Sequence, residues 1–168
     1  MSITVNVELG YEFEVKAPFK EVFAVLADVP TSASFYPQVD KLVDLGGGSY
    51  RWEMEKIGLP QISLQTVYAS TYVANKAKGT VVWTPVAGVG NALVSGSWHL
   101  TDHKTSTKIV LDVKGDLSIP LPALMKLVVA PVVEAEFERL TEQYIANLID
   151  RFGGEARGGL NSRFGRVF

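Results

Sequence analysis

Two histidines, His99 and His103, stand four residues apart in "SGSWHLTDHKT", with Asp102 beside the second. On a helix, that spacing would bring both imidazoles within reach of one zinc ion. On a strand the same interval spans ~13 Å at ~3.3 Å per residue, too far for a shared ion. Alternation favours the strand: Ala92, Val94, Gly96, Trp98 and Leu100 form an apolar face, and His99 lies opposite with Ser95, Ser97 and Thr101. His103 falls in the turn that follows. No third ligand is marked, so no metal is expected. The absence of cysteine excludes disulfides, thiolate nucleophiles and cysteine-bound metals. The sequence has no G-x-S-x-G elbow, and "GGGS" and "GVGN" match neither the dinucleotide nor the phosphate-loop pattern. They read as hairpin turns, and "AGVGN" could also serve as a mobile rim.

Aromatic residues offer a second kind of chemistry. Trp52, Trp83 and Trp98 lie on three separate alternating segments, and Tyr68 and Tyr72 on a fourth with Thr66 on the same face. Met54, Val94, Ile109, Leu111 and Val113 count inward by the same alternation. One reading is ordinary core packing. The other is a cavity walled by large rings, where an indole N–H or a phenol O–H orients a mostly apolar ligand. Tyr68 and Tyr72 are the best polar anchors and the only, weak, candidates for acid–base catalysis, because an unperturbed phenol titrates near ~10. Arg51, Glu53 and Glu55 alternate opposite Trp52 and Met54, while Asp112, Lys114 and Asp116 alternate opposite Leu111 and Val113. The expected interior is therefore poor in ionisable groups, which weighs against an enzyme, since cyclase or hydrolase chemistry usually needs a positioned acid or base.

The elements that must position these side chains follow from periodicity. "ITVNVELGYEFEV" alternates as a long strand with one wet face. "APFKEVFAVLADV" switches to helical spacing, and "PTSASFYPQV" reads as a short second helix bounded by Pro30 and Pro37. Six strands follow to about residue 118, joined by short turns that mostly contain glycine, with "ISLQTVYASTYVAN" read as a single strand. "PLPALMKLVVAPVVEAEFERLTEQYIANLIDRF" is the longest helical pattern. Val133, Phe137, Leu140, Tyr144, Leu148 and Phe152 form its stripe, and Pro131 is expected to kink or divide it. Its apolar start is expected either to bury against the sheet or to lie over a cavity as a lid, with Leu127 as a further wall. A contact with a membrane surface or a second subunit is the other reading. Residues 153–168 show no sustained period and carry Arg157, Arg163 and Arg166 against Glu155, with Phe164 and Phe168 as possible partner contacts.

The order strand, two helices, six-strand meander, long helix resembles the START-like helix-grip (SRPBCC) superfamily over about residues 1–152. The matching segments are "VKAPFKEVFAVLADV", "GSWHLTD" with "TKIVLDV", and the final helix. The chain is most similar to the bacterial polyketide cyclase/dehydrase and lipid-transport group. The resemblance implies an α+β helix-grip fold: a curved seven-stranded antiparallel sheet (β-α-α-β6-α) gripping the C-terminal helix, with an apolar cavity between them. The superfamily has no invariant catalytic motif.

The composition agrees with one globular domain: 168 residues, 47% hydrophobic and 20% charged. A net charge of −2 supplies no basic field for nucleic acid. No signal peptide or transmembrane run is recognised, so a cytoplasmic protein is expected. The first expectation is a binding protein, possibly for transport or sequestration, for an apolar small molecule such as a lipid, isoprenoid or polyketide. It would be a monomer or homodimer with no cofactor. The alternatives are a cyclase/dehydratase-type enzyme using the tyrosines, or a protein-interaction module.

Overall fold

The computed structural model describes residues 2–59 and 62–156 and the backbone of 161–162. Strand β1 (Ile3–Val15) leads into helices α1 (Phe19–Ala27) and α2 (Val29–Ala33). The strands β2 (Val39–Gly46), β3 (Ser49–Met54), β4 (Ile57–Leu59), β5 (Ile62–Leu64), β6 (Val67–Asn75), β7 (Thr80–Pro85), β8 (Ala92–Asp102) and β9 (Thr107–Ile119) follow. A 3-10 turn at Ala123–Met125 opens α3 (Lys126–Arg151), and β10 (Asn161–Ser162) comes last. The main sheet is antiparallel in the order β10-β1-β9-β8-β7-β6-β3-β2. The expected seven long strands and gripping C-terminal helix are all present.

The expected alternation holds in β1. Ile3, Val5, Leu9, Tyr11, Phe13 and Val15 are buried, because they face α3 and the first helices. Glu14 breaks the pattern: it lies on the outer face yet is buried. His103 Nδ1 lies 3.3 Å from its carboxylate, and Ser106 Oγ donates to it at 2.6 Å. The chain beyond Phe152 runs back along this strand. The Lys16 N–H donates to the Gly154 carbonyl at 3.0 Å, the Ala156 N–H to the Glu14 carbonyl at 2.9 Å, and Ser162 pairs with Tyr11. An eighth strand thus extends the expected seven. The arginines and phenylalanines of the tail lie outside the described residues.

Three local expectations are corrected. The segment "ISLQTVYASTYVAN" is two strands, not one. The chain leaves the main sheet after Met54, forms the β4–β5 hairpin and returns at Val67. The hairpin has its own apolar partner: Leu59 and Leu64 bury against Val129 and Val133 of α3. Second, of the two outcomes expected at Pro131, a kink or a division, division does not occur: α3 runs through it unbroken. The donor that proline lacks would have met the Leu127 carbonyl, on a residue that is 87% exposed, where water can replace it. Third, the loop "AGVGN" is fastened rather than free. Asn91 Oδ1 accepts from the Val67 N–H and Asn91 Nδ2 donates to the Gln65 carbonyl, both at 2.9 Å. Gly90, at φ +67°, sits where an added Cβ would lie 2.0 Å from the Val67 carbonyl oxygen.

Gly96, on the apolar face of β8, makes room for a neighbour within the sheet. An added Cβ would lie 2.5 Å from Trp83 Cζ2 and from the Asp112 carbonyl oxygen, so the missing side chain makes room for the Trp83 indole. Gly96→Ala is expected to destabilise the fold by about 1–3 kcal/mol through overpacking, read as a lower urea midpoint. An unchanged midpoint would show that Trp83 does not need this space.

Candidate functional site

A cavity lies between the inner face of the sheet, α3 and the two short helices. The void between its walls is about 920 Å³ counted to its open mouth, and the centre of a water molecule can occupy about 110 Å³ of it. The strands contribute apolar and aromatic side chains by simple alternation, α3 contributes Phe137, Thr141 and Tyr144, and α1 and α2 contribute Leu26, Val29 and Ser32.

Of the residues expected from sequence, Trp52, Tyr68, Tyr72, Trp83, Val94, Trp98, Leu111 and Val113 line this space. Met54 does not: it is buried behind Trp52 against Val29 and Ala33. Leu127 is not a wall either. It sits on the solvent side of α3, in an exposed apolar patch with Leu124, Val128 and Val132. The helical stripe that turns Val129, Val133 and Phe137 inward turns Leu127 outward.

The walls are organised by contacts between rings. Tyr36 meets Trp52 edge-on at 6.0 Å, Tyr72 meets Trp83 at 5.6 Å, and Trp83 meets Trp98 at 6.4 Å. Trp98 meets Tyr144 at 5.9 Å, and Tyr144 returns to Tyr36 at 4.9 Å. The remaining gap is closed by a hydrogen bond, from Trp52 Nε1 to the Tyr72 hydroxyl at 2.9 Å. Six aromatic residues therefore form a closed circuit around the cavity. Tyr68 stacks on Trp52 outside that circuit, with centroids 5.8 Å apart and planes 10° from parallel.

Polar atoms in the wall are hydroxyls. Tyr144 shares a hydrogen bond with Ser32, and Tyr36 with Thr141 at 3.3 Å. Among the described residues Asp116 is the one charged residue bordering the cavity, and its carboxylate accepts from Asn6 Nδ2 on the outer face. Burial pushes the Tyr36 phenol up to about 12, with a smaller opposing effect from its bond to Thr141. Burial also raises Tyr72 and Tyr144, each partly offset by its hydrogen bond, and raises Tyr68 well above the usual phenol range. All four phenols are neutral near pH 7. They can donate or accept hydrogen bonds but do not supply a base there.

Tyr36, Tyr144, Ser32 and Thr141 are the hydroxyl-bearing wall residues that sequence reasoning missed, along with apolar ones such as Leu26 and Phe137. Tyr144 was visible as a member of the α3 stripe. Tyr36 follows the end of α2 in "SFYP", where no period assigns a face. The histidines stand apart from the cavity. His99 is exposed on the outer face, in a shallow groove with Ser95, Ser97 and Lys114, and His103 lies in the β8–β9 turn. Among the described residues, no three His, Asp or Glu side chains come together as a metal site. No described helix is long and apolar enough to cross a membrane.

Comparison with known proteins places this geometry. A START superfamily protein from Mycobacterium smegmatis is similar at a TM-score of 0.58 and 14% identity, covering 90% of this chain and 97% of that one. The Zhui aromatase/cyclase from Streptomyces sp. R1128 is similar at a TM-score of 0.54 and 15% identity, covering 89% and 90%. Norcoclaurine synthase from Thalictrum flavum, in complex with dopamine and hydroxybenzaldehyde, is similar at 0.56 and 13%, covering 93% and 91%. At such identities the likeness is one of fold. No curated protein matches the sequence. The model of the family described as polyketide cyclase / dehydrase and lipid transport matches residues 6–150, and the chain belongs to that family, within the START-like helix-grip superfamily.

Proposed function

We propose that the protein binds an uncharged, largely apolar small molecule in the cavity under α3 and does not transform it. The observation that carries this reading is the wall itself: a closed aromatic circuit, neutral hydroxyls, and no charged group turned inward among the described residues. An ionised ligand would be buried without a counter-charge, at a cost of several kcal/mol or more. Apolar area would supply the binding energy, at about 25 cal/mol per Å² removed from water. Turnover of the cyclase or dehydratase kind would ask Tyr68 or Tyr72 to exchange a proton near neutrality, and burial moves both away from that range. Lipids, isoprenoids and polyketides all contain members of this chemical class. The sequence-based expectation of a cytoplasmic protein carries into this proposal.

The neutral fluorophore N-phenyl-1-naphthylamine tests the reading. It should bind with enhanced emission, with a dissociation constant that is flat from pH 5 to 9. Val94→Trp, which fills the space, should weaken it at least tenfold. Absence of binding, or equal binding by the filled variant, would reject the cavity as the site.

The phenols give a second, label-free test. A folded-state pKa above the unfolded value means that stability is intact below about 10 and is lost as pH rises through the folded value. Ultraviolet titration should therefore leave Tyr36, Tyr68, Tyr72 and Tyr144 un-ionised at pH 10.5. Their phenolate absorbance should appear only above about pH 12 or together with unfolding. Six phenolates forming reversibly near pH 10 in the folded protein would contradict the buried geometry.

A further inference from the structure

Seven side-chain hydroxyls border the cavity, and five of them have partners: Ser32 with Tyr144, Tyr36 with Thr141, and Tyr72 with Trp52. The other two, Thr66 Oγ1 and the Tyr68 hydroxyl, meet no hydrogen-bond partner among the described residues. Neither atom is sealed inside protein, and Thr66 as a whole is only 4% exposed. The two residues are neighbours on one face, about 6.6 Å apart at their backbones, since Thr66 runs directly into β6.

Both are held from several directions. The Met54 N–H donates to the Thr66 carbonyl at 2.9 Å. Asn91 bridges the residues on either side of Thr66, accepting from the Val67 N–H and donating to the Gln65 carbonyl at 2.9 Å each. Gln65 Nε2 in turn donates to the Met54 carbonyl at 3.0 Å. The Tyr68 ring is stacked on Trp52. Four hydrogen bonds thus hold the backbone at and beside Thr66, and a ring stack holds Tyr68, while the two hydroxyls bond to nothing among the described residues. Fixing donors before a ligand arrives reduces the ordering cost of binding.

We propose that Thr66 and Tyr68 are the specificity-determining pair of this site and that they select ligands carrying an uncharged carbonyl oxygen. The inference rests on the cavity being the binding site. Two free donors match an acceptor with two lone pairs. A carboxylate would offer the same lone pairs, but no cation faces the cavity to balance its charge among the described residues. A hydrocarbon would leave both hydroxyls dry and unpaired, which is the situation that gives polar sites their discrimination. Tyr72, whose proton is free, and the indole N–H groups of Trp83 and Trp98 are the competing donors.

Equilibrium dialysis with 2-acetylnaphthalene and its oxygen-free counterpart 2-ethylnaphthalene separates the two levels. The readout is the ratio of the two dissociation constants. Replacing Thr66→Val and Tyr68→Phe together should shift that ratio against the ketone about three- to tenfold, the effect of roughly one net hydrogen bond. Tyr68→Phe alone should produce a smaller shift in the same direction. The double variant should keep the wild-type melting temperature, because neither lost oxygen bonds within the protein. An unchanged ratio would move recognition to Tyr72 or the indoles and overturn the assignment while leaving the cavity intact. If neither compound binds the wild type, the cavity reading fails, and this one with it.

Discussion

The structure depends on a constraint of space: a twisted antiparallel sheet and a rod-like helix cannot fill the volume between them with aliphatic side chains alone. Six large rings bridge that gap by touching one another around it. If the roughly 110 Å³ that water can enter stood empty, it would cost about 3 kcal/mol at ~24 cal/mol per Å³. The five ring–ring contacts of the circuit contribute about 0.5–1.5 kcal/mol each beyond their area burial, enough to match or exceed that cost. A ring in contact with two neighbours, edge-on or tilted, does not swing inward without losing both contacts. The wall is therefore self-supporting, and the space persists.

That arrangement sets demands elsewhere. Trp83 can meet both Tyr72 and Trp98 only because Gly96 has no side chain on the strand beside it. The phenols of the circuit have partners, and the partners come from different elements. Ser32 of α2 bonds Tyr144 of α3, and Trp52 of β3 bonds Tyr72 of β6. The same bonds that satisfy buried oxygens tie α2 to α3 and β3 to β6. The β4–β5 hairpin covers the other end of α3, so the apolar start of that helix is half buried and half exposed, with Leu127 on the exposed side.

The sequence exposes the parts of this design that repeat with a fixed period. Alternation in β3, β6, β7, β8 and β9 put Trp52, Tyr68, Tyr72, Trp83, Trp98, Leu111 and Val113 on the correct face. It also removed His99 from it. What it missed lay where period fails. Tyr36 belongs to an irregular turn, and its neighbours in space are 16 and 108 residues away in sequence. Met54 shares the face of Trp52 but lies at the strand's end, where α2 covers it. The break between β5 and β6 was invisible because both pieces are apolar enough to read as one strand. Only the hydrogen bonds of Asn91, 24 and 26 residues downstream, reveal it.

That break bears directly on function. An uninterrupted strand from residue 62 to 75 would have kept Gln65 and Thr66 in a regular ladder, as Val67 is. Leaving the ladder hands their backbone groups to Met54 and Asn91, and Thr66 becomes a fixed point at the edge of the cavity. Buried side-chain oxygens elsewhere in the wall are matched within the protein. Here the protein spends a glycine-containing loop, an asparagine and a glutamine on holding two hydroxyls still and leaves the hydroxyls themselves unmatched. Once an apolar ligand excludes water from the cavity, each donor left unpaired costs about 1–3 kcal/mol unless the ligand supplies an acceptor. A fold that satisfies its other buried polar atoms has reason to retain such a pair where a ligand completes it.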